Sequence, residues 1–154
     1  MSRIAFIAAA VLAAIVVATA ARANDCNWEE EGFWEQQDQS GRVAACIAAG
    51  ADIEARDKNG VTPLHRAAEH GTPDVVRALI AAGADIEARD KLDWTPLHLA
   101  AFWGTLDVVR TLIDAGANVR ARSKNGNLPV DFAEDNEAVR NDPVFQVLNK
   151  ARFD

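Results

Sequence analysis

The chain has 154 residues, 49% hydrophobic and 25% charged, which fits one soluble globular domain and argues against a disordered or many-domain protein. Its 16 Lys and Arg face 23 Asp and Glu, a formal charge of −7, and no basic run interrupts the acidity. Such a balance excludes nucleic acid and anionic membrane surfaces as natural partners and favours solubility or a basic protein.

Residues 1–23 have the pattern of a secretory signal peptide: Arg3, an apolar run from Ile4 to Ala18, then small residues ending in Ala21-Arg22-Ala23. Cleavage there makes Asn24 the new N-terminus. Ala18-Thr19-Ala20 is the alternative site, and an uncleaved anchor over Ile4 to Ala21 is the alternative fate. Loss of Arg3 and Arg22 takes the cationic count from 16 to 14 against 23 acidic residues, so the mature chain would carry −9. The expected location is periplasmic or secreted, with no integral span after cleavage. Cys26 and Cys46 are an even pair in a chain directed to an oxidising compartment, where a single disulfide is the natural expectation.

Written in blocks of 33, the remaining sequence repeats itself. The segment Ala48–Lys58 returns unchanged as Ala81–Lys91, and Thr62-Pro63-Leu64-His65 returns as Thr95-Pro96-Leu97-His98. The predicted units are an N-terminal capping repeat (24–50), two full repeats (51–83 and 84–116) and a degenerate C-terminal capping repeat (117–154). In the cap before the first full repeat, Val43, Cys46 and Ile47 stand where Val76, Leu79 and Ile80 stand later. In the last copy Leu128-Pro129-Val130-Asp131 fills the Thr-Pro-Leu-His slot, and Asp135 to Asp142 holds three extra residues expected to lie in the link between two helices.

Local chemistry makes each repeat a pair of short helices. Thr62 before Pro63 is a helix cap followed by the residue suited to the first helical position, whose missing N–H is no loss there. The first helix runs to about His70 and Gly71 stops it. Pro73 and Asp74 open a second, with Val75, Val76, Leu79 and Ile80 on one face, and Gly83 ends it in an expected left-handed conformation. Neither helix buries enough alone, so the Ala67-Ala68 and Ala100-Ala101 pairs imply close stacking of neighbouring repeats. Asp57-Lys58-Asn59-Gly60 and Ser123-Lys124-Asn125-Gly126 have the chemistry of a projecting tight turn; the middle copy has Asp93 in place of Gly.

The pattern G-A-D-I-E-A-R-D-K-x-x-x-T-P-L-H-x-A-A-x-x-G resembles the ankyrin repeat, from Ala48 to Asn149. The ends, Cys26-Asn27-Trp28 and Leu148 to Phe153, further resemble small exported bacterial ankyrin-repeat proteins. The resemblance implies an all-α solenoid of stacked helix-turn-helix units with projecting hairpin loops, about four repeats including caps. It also implies a concave face of hairpin tips and first helices that binds protein, with no enzymatic activity and no cofactor. A monomer is expected.

His65 and His98 resemble the family's structural histidine, which hydrogen-bonds within and between repeats. One repeat apart, they would stand ~10 Å from each other, too far to share a zinc ion with bonds of ~2.0 Å. No metal site is expected. Catalysis is not expected either: Thr62 and Thr95 serve as caps, and Asp52, Glu54, Asp85 and Glu87 recur once per repeat, as solvated or ion-paired ladders do. Arg56, Arg89 and Arg122 form another ladder, for which ion pairing with neighbouring carboxylates is preferred over an anion-binding stripe. Cys26 precedes the first short helix and Cys46 lies near the end of the second, so an antiparallel pair would bring them together; two buried free thiols are the alternative.

One feature breaks the repeat without serving it. Where the first full repeat has Asn59, Val61, Glu69 and His70, the second has Leu92, Trp94, Phe102 and Trp103. By resemblance these positions belong to the concave face, where aromatic anchors dominate binding energy. With Lys58, Lys91, Glu69, His70 and Asp135 around them, they are the expected partner-binding residues. The competing possibility is that Trp28, Phe33 and Trp34 of the N-terminal cap, or the C-terminal segment, cover them. The expected function is an exported protein-interaction scaffold. The alternatives are an envelope accessory in oxidative-stress or metal and haem handling, or a secreted host-directed effector.

Overall fold

A computed structural model describes residues 26–28, 31–34 and 39–153. The expected signal peptide lies outside the described residues. The helices are α1 (Glu31–Trp34), α2 (Gln39–Ala48), α3 (Pro63–His70), α4 (Pro73–Ala81), α5 (Pro96–Phe102), α6 (Leu106–Asp114), α7 (Pro129–Ala133), α8 (Glu137–Arg140) and α9 (Val144–Lys150). Among the described residues there is no strand.

Helices α3, α5 and α7 start by one device. Thr62, Thr95 and Leu128 are extended, and a proline occupies the first turn. The buried N–H of the cap residue then needs an acceptor, because no helical carbonyl can reach it. His65 Nδ1 supplies it to Thr62 at 3.2 Å, and His98 Nδ1 to Thr95 at 3.0 Å. In the last copy the Asp131 carboxylate does the same for Leu128 at 2.6 Å. The departure from Thr-Pro-Leu-His therefore changes the acceptor and keeps the geometry. Helices α4 and α6 are capped by Thr72 and Thr105, whose hydroxyls accept from the Val75 and Val108 N–H groups at 3.5 and 3.4 Å.

The helices form two rows. The inner row is α1, α3, α5 and α7, the outer row is α2, α4, α6 and α8, and α9 closes the stack against α7 and α8. Ala67, Ala68, Ala100 and Ala101 are fully buried between inner helices. Their size matters: a Cβ at Gly104 would stand 2.6 Å from the Ala68 carbonyl oxygen, so the end of α5 comes as near to α3 as backbone allows. Leu64, Val75, Val76, Leu79, Leu97, Val108, Val109 and Leu112 fill the space between the rows.

Both caps use apolar side chains of their own. Trp28, Phe33 and Trp34 are buried and in mutual contact, with centroids 5.0–6.1 Å apart. Trp28 Nε1 donates to the Asp52 carbonyl and Trp34 Nε1 to the Trp28 carbonyl, both at 2.9 Å, so neither indole buries an unmet donor. Cys26 and Cys46 form a disulfide, with Cα atoms 5.7 Å apart, across the base of this cap. At the other end, the three extra residues fall where expected, but they do not form a simple link. The stretch that holds them contains the helical turn α8, which begins after Asn136, with Val139 buried against the stack and Asp142 ion-paired to Arg110 at 2.7 Å. A buried valine and an anchored end convert an insertion into packing.

Candidate binding surface

The hairpin tips form a continuous ladder. Lys91 N–H donates to the Asn59 carbonyl and Lys124 N–H to the Leu92 carbonyl, each at 2.9 Å. Within a tip, Asp57 Oδ1 accepts the N–H groups of Asn59 and Val61 at 2.7 and 2.9 Å; Asp90 Oδ1 does so for Leu92 and Trp94, both at 2.8 Å. Burial alone would raise the Asp57 pKa, but these two donors and Arg66, 3.1 Å away, outweigh it and hold the carboxyl below its ordinary range. Its stabilisation is therefore complete above the ordinary carboxylate pKa and is lost as pH falls through the lowered one.

The arginine ladder is structural, though its partners differ from those expected. Arg56 donates to the carbonyls of Gly60 and Arg89 at 3.3 and 2.7 Å, Arg89 to those of Asp93 and Arg122 at 3.3 and 2.9 Å, and Arg122 to that of Gly126 at 2.9 Å. Carbonyls take the place of the neighbouring carboxylates: Asp57 and Asp90 serve the turn amides through Oδ1, and Asp57 Oδ2 pairs with Arg66 instead of Arg56. The acidic ladder is similar: Glu54 accepts the Asp85 N–H at 2.8 Å and Glu87 the Asn118 N–H at 2.7 Å, tying each repeat to the next.

Asp93 shows what the sequence departure costs. It has φ 58°, while Gly60 and Gly126 at the same place in the other tips have φ 80° and 83°. The turn is thus the same, with an L-residue in the left-handed region, where aspartate is tolerated but glycine is unstrained. Asp93→Gly is expected to stabilise the protein by about 0.5–1 kcal/mol, read as a rise in the urea midpoint; a lower midpoint would show that the Asp93 side chain has a stabilising role.

His65 and His98 are fully buried at the root of the tips. Nε2 of His65 meets the Trp94 carbonyl at 3.0 Å and Nε2 of His98 meets the Asn127 carbonyl at 3.2 Å. A carbonyl can only accept, so Nε2 carries the hydrogen; Nδ1, which accepts from the cap N–H, does not. The threonine hydroxyls, 2.9 Å from the same Nδ1 atoms, donate to them. Each neutral imidazole therefore joins one repeat to the next and has no free lone pair. Burial pushes both pKa values below the ordinary histidine range, with the carbonyl bonds only partly offsetting it.

On this frame sits the aromatic cluster. Trp94 is half-buried and packs against Phe102, Trp103 and Phe132, with centroids 6.3, 5.9 and 4.5 Å away, and lies over His98 at 6.4 Å. Phe102 contacts Trp103 at 4.4 Å and Phe132 at 5.8 Å. Trp103 keeps 52% of its surface exposed and Leu92, at the tip, 54%. Rings this close fill the space between them, so the cluster is a packed platform and not a hollow cage.

The two tryptophans thus differ: Trp94 is partly core and Trp103 is surface. The N-terminal aromatics pack among themselves, so the partial cover comes from the C-terminal cap through Phe132, a residue outside the expected set. Its signal was present, since Arg66, Leu99 and Phe132 recur at the repeat spacing and only the last is aromatic. Exposed Lys58 and Lys91 stand on adjacent tips. Glu69 and His70 end α3 where the second repeat has Phe102, the last residue of α5, and Trp103 just after it; Glu69 pairs with His70 at 3.2 Å and also meets Arg66 at 3.4 Å. Asp135 is exposed between α7 and α8.

Among the described residues no helix is long and apolar enough to cross a membrane. A search of curated proteins found no match. The family model described as ankyrin repeats (3 copies) matches residues 36–123, more than half of the chain. Stacked helix pairs, projecting tips and bridging histidines agree with that match, and the chain belongs to the ankyrin-repeat family.

Proposed function

We propose that this chain is an exported scaffold that binds a partner protein through Leu92, Trp94, Phe102, Trp103 and Phe132. Ankyrin repeats are generally protein-interaction modules and their proteins are typically not enzymes, so the family supports the class of activity. The observation that carries the site is the exposure of Trp103 and Leu92, 52% and 54%, where the preceding repeat has His70 and Asn59. Large apolar groups held rigid at a surface gain most when a partner removes them from water. Lys58, Lys91, Glu69, His70 and Asp135 supply the polar margin that sets orientation.

Export rests on the apolar N-terminal sequence and on the Cys26–Cys46 disulfide, which an oxidising compartment sustains. N-terminal sequencing of the protein from its native envelope fraction should begin at Asn24.

Trp103→Ala combined with Leu92→Ala tests the surface, because both side chains are more than half exposed and Trp103 gives up only its ring contacts with Phe102 and Trp94, outside the buried core. Trp94 is a poorer probe, since it also packs on His98 and Phe132. The double variant should lose about 30-fold or more in partner affinity, the effect of losing a hot spot, with helicity unchanged and the melting temperature lowered by no more than the loss of the Trp103 ring contacts explains. Equal capture by variant and parent would remove this surface from the function.

A further inference from the structure

The turns Asp57–Gly60 and Ser123–Gly126 contain the same tripeptide, Lys-Asn-Gly, with the lysine and asparagine exposed in both. Asparagine followed by glycine is the sequence most open to spontaneous deamidation, because no side chain obstructs the following amide nitrogen. The stack treats the two copies differently. The Asn59 carbonyl accepts the Lys91 N–H at 2.9 Å, and the Gly60 Cα faces the second tip so closely that a Cβ there would stand 3.3 Å from the Lys91 nitrogen. Among the described residues nothing covers the third tip at the corresponding two positions: its backbone bond to the second tip is made by Lys124, while Asn125 and Gly126 are exposed and nothing lies within 4 Å of a Cβ built at Gly126. In both turns the glycine N–H donates to the carbonyl three residues back, at 2.9 Å for Gly60 and 2.8 Å for Gly126, so that protection is shared.

We propose that Asn125–Gly126 is a site of covalent self-modification, and that stacking shields Asn59–Gly60 from the same reaction. The Gly126 nitrogen adds to Asn125 Cγ, the Cγ–Nδ2 bond breaks, and the side-chain nitrogen leaves as ammonia with the proton from the glycine N–H. The resulting succinimide takes up one water at either carbonyl and opens to aspartate or isoaspartate. No oxidant or reductant is needed. Reaction requires local opening of the tip, and opening at Asn59 must also break the bond to Lys91.

The product alters the binding side of the stack. A carboxylate replaces an amide on the tip whose Lys124 N–H holds the Leu92 carbonyl at 2.9 Å, and isoaspartate adds a backbone carbon beside the Gly126 carbonyl that accepts from Arg122. The full mature protein, held folded at mildly alkaline pH and sampled over weeks, tests the proposal by peptide mass spectrometry with separation of isoaspartate. Asn125 should convert at least about fivefold faster than Asn59, the factor one ordinary hydrogen bond contributes. In denaturant the shared Lys-Asn-Gly context should bring the two rates together. Equal rates in the folded protein, faster conversion at Asn59, or no conversion at Asn125 would overturn it.

Discussion

His98→Ala is expected to destabilise the protein by about 3–5 kcal/mol. The side chain is fully buried, so its removal leaves a cavity. It also strands the Thr95 N–H at the start of α5 and the Asn127 carbonyl of the next tip, both held by the imidazole at 3.0 and 3.2 Å. Urea unfolding followed by circular dichroism measures the loss; a cost below about 1 kcal/mol would mean that water or a shifted helix start replaces both bonds.

The same histidines set a pH dependence whose sign follows from their lowered pKa values. As pH falls below about 6.5 the unfolded chain takes up protons while buried His65 and His98 remain neutral. Their contribution is therefore complete above pH ~6.5 and is lost progressively as pH falls towards the folded values. The urea midpoint should drop between neutral pH and pH ~5.5, before the lowered carboxyl groups of Asp57, Asp131 and Asp142 begin to titrate. In His98→Ala this slope should shrink to the share of His65. An unchanged slope would show that the histidines are not its source.

Removal of the disulfide by Cys26→Ala with Cys46→Ala is expected to cost roughly 3 kcal/mol, since the bond closes a loop of sequence separation 20. The loss should begin in the N-terminal cap. Trp28 and Trp34 are buried there and hydrogen-bonded to carbonyls that the disulfide helps to hold in place, so their fluorescence should shift to longer wavelength before the helices of the full repeats melt. Thermal unfolding with and without a dithiol reductant should differ on the order of 10 °C for the parent and not at all for the double variant. A reduced parent with verified free thiols and an unchanged transition would show that the aromatic packing alone secures the cap.

Much of the frame was legible because a repeat states its own register. Identity between Ala48–Lys58 and Ala81–Lys91 aligns every later position. Caps, glycines and the apolar face of each second helix follow from local rules, as does Gly83 at φ 99°; the pairing of Cys26 with Cys46 follows from there being just two cysteines, at ends that an antiparallel helix pair brings together. Less was legible where a side chain's partner lies in the next repeat. The guanidinium groups of Arg56 and Arg89 reach carbonyls 33 residues away, and no local rule ranks a distant carbonyl above an adjacent aspartate. Spacing puts Asp131 in the histidine's slot, but only the bond from the Leu128 N–H to its carboxylate shows that it takes over the imidazole's part. The short helix α8 arose from burial of Val139, which an insertion between helices does not announce.

The aromatic residues of the second repeat divide along the same line. Sequence alone determined that Leu92, Trp94, Phe102 and Trp103 depart from the repeat, since repetition exposes any position that ignores it. Only the tertiary structure decided how much of each meets water. Phe132 comes from the neighbouring repeat and packs on Trp94 at 4.5 Å, leaving Trp103 and Leu92 uncovered. Composition and spacing are properties of one chain segment, whereas exposure depends on what the adjacent segment places against it.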